Sequence, residues 1–152
     1  MASQLGQFTP AALTAPGSDL TASHRFTILV VEEEPRAPEA FGPTLRGNGH
    51  RVIAASTGKQ AIDMAAGTRA DLVLLDAGAS EADALATLRA LRTLGQAVPV
   101  VLLTAEATLG GAREAMALGA YNYITKPASL EFVTSVVQEA LGHPTATQAP
   151  ST

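Results

Sequence analysis

The feature that most constrains this chain is a set of short apolar runs, each closed by a polar or ionisable residue. The run Val98–Leu103, interrupted only by Pro99, delivers the hydroxyl of Thr104 at its carboxyl tip. TILVV ends in Glu32, Glu33 and Glu34, DLVLL ends in Asp76, and YNYI is followed by Thr125, Lys126 and Pro127. Short apolar runs bounded by turns read as buried parallel strands, although periodicity alone does not separate them from a buried helix. Helical patterns lie between the runs. Strands of this kind, each carrying a reactive group at its end, imply a site at the carboxyl edge of a parallel sheet.

In chain order, strands are predicted at Arg25–Val31, Arg51–Ala55, Asp71–Leu75, Pro99–Leu103 and Tyr121–Ile124. Pro35 suits the first turn of a helix reaching about Arg46. Pro38, Gly42 and Pro43 should leave that helix short, kinked or broken, since an interior proline costs about 3 kcal/mol. Gly47-Asn48-Gly49 is a turn signal. Ser56 or Thr57 caps a second helix through Ala66, with Ala61, Ile62 and Ala65 inward. A third runs from about Glu81 to Leu94 on Leu85, Leu88 and Leu91. The Gly-rich stretch Ala105–Gly111 reads as a mobile loop. It leads to a short helix, Ala112–Leu118, stopped by Gly119. Ser129 caps the last helix, whose Leu130, Val133, Val137 and Leu141 face inward and which Gly142 ends. This βα alternation with right-handed crossovers requires a doubly wound parallel sheet covered on both faces.

The 152 residues suffice for one domain with a real core. Residues 1–24, rich in Ser, Thr, Ala, Gly, Gln and Pro, read as a disordered arm, 25–142 as the domain, and 143–152 as a flexible tail. The net charge of −4, with no Lys/Arg cluster, argues against a nucleic-acid surface. The absence of cysteine excludes disulfide and thiol chemistry. No stretch is long enough to span a bilayer, and no Lys or Arg precedes Arg25, so a secretory signal is not expected. A cytoplasmic location is the default. The Gly58-Lys59 pair fails as a phosphate-binding loop, because Ile53 and Gln60 stand where Gly and Ser/Thr are needed. His24, His50 and His143 lack metal-ligand spacing and are assigned no role.

Carboxylates gathered at a sheet edge repel one another unless a cation binds or one acid is protonated. A hard, oxygen-liganded ion such as Mg²⁺ would satisfy Glu32, Glu33 and Asp76 together. An Asp beside it can attack phosphorus and form an acyl phosphate. Lys126 and Thr104 then supply a cation and a hydroxyl to the phosphoryl oxygens. Glu34 reads as a solvated acid at a helix start, and either Tyr121 or Tyr123 can serve packing alone, since they alternate on one strand.

ILVVEEEP, DLVLLD, VPVVLLTA and GAYNYITKP, in this order and spacing, resemble the receiver domains of two-component response regulators, over roughly Phe26 to Leu141. The resemblance implies a flavodoxin-like (βα)5 fold with strand order 2-1-3-4-5. It makes Asp76 the phosphoacceptor and Glu32 and Glu33 the acidic pair, with the backbone carbonyl of Gly78 as a further Mg²⁺ ligand. Thr104 and Lys126 become the phosphoryl-binding residues, Tyr123 the aromatic switch, and Lys126-Pro127 a cis peptide bond. It also implies a histidine kinase or histidine phosphotransfer protein as donor. Output goes to a protein partner, or a homodimer, through the face formed by the fourth helix, fifth strand and last helix.

The chain departs from the family at Glu33, where Asp is usual, and at Ala79-Ser80, which replace a Met-Pro pair. One extra methylene displaces a carboxylate by about 1.5 Å, whereas Mg²⁺ demands near-ideal geometry, so these departures bear on metal affinity. The leading expectation is a stand-alone phosphoacceptor, not an enzyme on other substrates. The competing one is a pseudo-receiver that binds partners without phosphorylation. A phosphatase of the haloacid dehalogenase type would need a second Asp where Gly78 stands.

Overall fold

The structure, a computed structural model, describes residues 26–32, 41–78 and 80–142. The expected arm and tail, the expected strand start at Arg25, the expected helix start at Pro35, and Glu33, Glu34 and Ala79 lie outside them. The elements are β1 (Thr27–Glu32), α1 (Gly42–Gly47), β2 (Arg51–Ala55), α2 (Gly58–Thr68), β3 (Leu72–Asp76), α3 (Glu81–Thr93), β4 (Val100–Thr104), α4 (Leu109–Ala117), β5 (Asn122–Thr125) and α5 (Leu130–Gly142). All strand pairs are parallel, in the order β2-β1-β3-β4-β5. This is the expected doubly wound sheet.

The period of two along each strand divides the interior into two cores. Leu29, Val31, Val73, Leu75, Val100 and Leu102 face the small and branched residues of α2, α3 and α4, among them Ala61, Ala65, Leu88 and Leu91. Ile28, Val30, Leu72, Leu74, Val101 and Leu103 face α1 and α5 through Leu45, Val133 and Val137. The near-continuous apolar character of β1, β3 and β4 follows from burial on both sides.

Local chemistry sets the helix ends. The Thr57 hydroxyl accepts from Gln60 N–H at 3.1 Å, the Ser80 hydroxyl from Asp83 N–H at 3.1 Å, and the Ser129 hydroxyl from Phe132 N–H at 3.0 Å. Gly119 (φ +81°) follows α4 in the left-handed conformation that stops a helix.

Two expectations are corrected. The helix α4 begins at Leu109 rather than Ala112, because the Thr108 hydroxyl caps it by accepting from Gly111 N–H at 2.9 Å. Gly110 and Gly111, read as the end of a loop, are thus part of its first turn. Leu130, expected inward, is 39% exposed, and Val136 and Ala140 take buried positions beside Val133, Val137 and Leu141. Leu130 is the first residue of α5, and the buried stripe of that helix begins at Val133.

Candidate functional site

Strand register assembles the site. Glu32 and Asp76 are partners on adjacent strands, so β1 and β3 deliver their carboxylates side by side at the carboxyl edge. Next to β3, β4 ends in Thr104, and Thr104 pairs with Thr125 of β5. The N–H of Lys126 donates to the Thr104 carbonyl at 2.8 Å, which anchors the lysine beside the acceptor strand. Its Nζ donates to Asp76 Oδ1 at 2.6 Å, in an ion pair whose side chains are 27% and 14% exposed. Partial burial strengthens this contact over a surface pair. The Lys126-Pro127 peptide bond is cis.

Thr104 is buried, and its hydroxyl oxygen accepts from Glu106 N–H at 3.1 Å, folding the loop after β4 over the strand tip. Tyr121 and Tyr123 do lie on opposite faces, Tyr121 against the α1/α5 core and Tyr123 against the α2–α4 core. The Tyr123 hydroxyl donates to the Glu81 carboxylate and accepts from Thr108 N–H at 3.1 Å. The Thr108 hydroxyl donates to the other Glu81 oxygen at 3.2 Å. Burial first, and then the Glu81 carboxylate, raise the Tyr123 phenol above its ordinary pKa. Burial and then Glu139 do the same for Tyr121.

Thus Glu32, Asp76, Thr104 and Lys126 come from four successive strand ends of one sheet edge, with the Gly78 backbone in the loop after Asp76. Glu33 lies outside the described residues, and among these no group of three or more acidic, imidazole or thiol side chains gathers. The carboxylate oxygens of Glu32 and Asp76 on this edge are hard donors of the kind Mg²⁺ takes.

Two contributors to this network, and two tertiary ties elsewhere, escaped the sequence. Glu81 and Thr108 carry only the local signals of a helix start, and nothing in their spacing announces a shared partner 15 to 42 residues away. Arg92 of α3 donates to the carbonyls of Gln96, Val98, Leu118 and Gly119 at 2.7–3.2 Å, tying the end of α3 to the end of α4. Burial lowers its pKa from the usual arginine value. His50, assigned no role, is buried at the start of β2, with Nε2 2.7 Å from Gln138 Oε1 of α5 and its ring 5.9 Å from that of Phe26. A concavity of about 820 Å³ lined by Phe26, Asp71, Tyr121 and Glu139 lies at the opposite, amino edge, away from Asp76.

Residues 28–138 match the family model of the response regulator receiver domain. The chain is 34% identical over 116 residues to the transcriptional regulatory protein ZraR of Escherichia coli, covering 76% of this chain and 26% of that protein. It is 35% identical over 104 residues to the response regulator MprA of Mycolicibacterium vanbaalenii, covering 68% and 45%. The chain therefore spans between about a quarter and under half of these curated relatives. Among solved structures, the CheY-like receiver domain protein of Methanospirillum hungatei superposes with a TM-score of 0.73 at 20% identity, over 81% of this chain and 98% of that one. The chemotaxis protein CheY4 of Vibrio cholerae gives 0.68 at 24% identity, over 76% and 98%. The four reactive strand ends, the 2-1-3-4-5 sheet and these matches have one reading: the chain belongs to the response regulator receiver domain family.

Proposed function

We propose that Asp76 accepts a phosphoryl group from the phosphohistidine of a histidine kinase or histidine phosphotransfer protein. The observation that carries this reading is the 2.6 Å approach of Lys126 Nζ to Asp76 Oδ1 at an edge shared with Glu32 and Thr104. An Asp76 oxygen attacks phosphorus, the P–N bond to imidazole breaks, and the electron pair leaves on the imidazole nitrogen, which takes a proton. Lys126 turns from the carboxylate to a phosphoryl oxygen, and the Thr104 hydroxyl rotates to donate to another. Glu32, Glu33, Asp76 and the Gly78 carbonyl would hold Mg²⁺, which when bound offsets the charge of the incoming phosphoryl oxygens.

On this reading the chain is a cytoplasmic phosphoacceptor that catalyses at most its own phosphorylation and dephosphorylation. The receiver itself hands its output to a protein surface. Leu109 and Met116 on α4 and Leu130 and Phe132 on α5 are exposed apolar side chains that suit a protein-binding face. Among the described residues no helix is long and apolar enough to cross a membrane.

The test is intact mass after incubation with acetyl phosphate, with and without Mg²⁺. The expected result is one phosphoryl adduct that depends on Mg²⁺ and disappears in Asp76→Ala. No adduct in any condition overturns the reading in favour of a pseudo-receiver that binds partners unmodified, and Glu33→Asp then tests whether the longer side chain is the cause.

A further inference from the structure

Glu81 stands at the first position of α3, with only the short acceptor loop between it and Asp76. From there its carboxylate reaches out of its own element and engages both the Tyr123 hydroxyl of β5 and the Thr108 hydroxyl that caps α4. Thr108 N–H closes the triangle on the Tyr123 oxygen at 3.1 Å. The helix α4 makes room for it at Gly111. A methyl group there would sit 2.6 Å from Glu81 Cδ and 2.7 Å from Oε1, closer than Cβ atoms approach anything. Space and hydrogen bonding thus converge on one carboxylate.

The triangle joins the two loops that follow the strand ends carrying Asp76 and Thr104. Asp76 lies at one end of the acceptor loop and Glu81 at the other. Thr104 lies at one end of the loop after β4 and Thr108 at the other. Thr104 currently accepts from Glu106 N–H inside that loop. Any displacement of Thr104 toward a group on Asp76 pulls on Thr108 and on Tyr123. We infer that Glu81 is a positioning residue that latches Tyr123 and the α4 cap to the acceptor loop, holding the arrangement in which Asp76 is paired with Lys126. This rests on the phosphoacceptor reading above. Contacts made in one arrangement and not in the other bias a two-state equilibrium toward the first, so on this inference their loss releases the second.

The experiment has two readouts on the full chain. The first is the rate of the Asp76 adduct with acetyl phosphate and Mg²⁺. Glu81→Gln and Tyr123→Phe should each raise it roughly three- to tenfold, the weight of one hydrogen bond. The double variant should gain less than the product of the two single effects, as expected for residues that share a contact. Gly111→Ala, which touches no reacting group, should act the same way by displacing the carboxylate. Asp83→Asn removes a charge from the same first turn of α3 without touching the latch and should leave the rate unchanged.

The second readout needs no phosphorylation. The chain has two tyrosines and no tryptophan, so 3-fluorotyrosine in a Tyr121→Phe background reports Tyr123 alone by fluorine NMR. Its resonance should move with Glu81→Gln and Gly111→Ala and stay with Asp83→Asn. An unmoved resonance overturns the latch, and a moved resonance with unchanged rates overturns its control of phosphorylation. A moved resonance with no adduct in any protein, wild type included, overturns the phosphoacceptor reading and the control that rests on it, while the contact itself stands.

Discussion

Replacing Gly58 by alanine tests how tightly α3, which carries Glu81, is seated on α2. A Cβ on Gly58 falls inside 3.0 Å of Thr87 Oγ1 and 3.4 Å from Thr87 Cβ. Thr87 cannot simply turn away, because it is 6% exposed and its hydroxyl donates to the Asp83 carbonyl at 3.1 Å. Alanine ordinarily gains about 0.5–1 kcal/mol over glycine in a helix. Overpacking costs about 1–3 kcal/mol, and forcing the threonine hydroxyl off its acceptor adds about 1 kcal/mol. The net expectation for Gly58→Ala is a destabilisation of about 2 kcal/mol, opposite in sign to what propensity alone gives. Thr87→Ala removes the clashing oxygen while keeping the tolerable Cβ contact, so the double variant should recover at least about 1 kcal/mol relative to the sum of the singles. Urea unfolding followed by far-UV circular dichroism measures all four proteins. Single effects that add within about 0.5 kcal/mol would refute the steric argument.

Other consequences are equally open to measurement. Lys126→Met should slow formation of the Asp76 adduct about 10²-fold, the usual effect of losing one preorganised charge at a reacting oxygen; an unchanged rate by mass spectrometry would remove Lys126 from the chemistry. Arg92→Lys should cost about 1–3 kcal/mol in thermal or urea unfolding, because one ammonium cannot replace a planar fork serving four carbonyls. Stability should also fall in alkali. Tyr121 and Tyr123 have folded pKa values raised chiefly by burial, so their contribution is complete below the unfolded tyrosine value of about 10 and is lost as pH rises through the folded values. Tyr123→Phe should flatten that alkaline loss in unfolding curves taken at several pH values, and an equally steep loss would contradict the assignment.

By itself the sequence determined the sheet and the polar residues at its carboxyl edge. Runs such as ILVV and DLVLL are local patterns, and chain-crossover rules leave few ways to assemble them. Once they are parallel, the one or two residues after each run stand at the same edge, so the placement of Asp76, Thr104 and Lys126 there was legible without coordinates. What only the tertiary structure decided are pairings between residues far apart in the chain. Glu81 meets Tyr123 across 42 positions, Arg92 meets Leu118 and Gly119 across 26 and 27, and His50 meets Gln138 across 88. No periodicity encodes such contacts, because they depend on how helices lie on the sheet and how far each side chain then reaches. The same holds for Gly111, a helix breaker by propensity whose missing side chain instead makes room for a carboxylate from α3. Leu130 is apolar by pattern yet exposed, because it is the first residue of α5 and the stripe that packs on the sheet starts at Val133. Local physics decides what each segment becomes, and packing decides which groups are left facing one another.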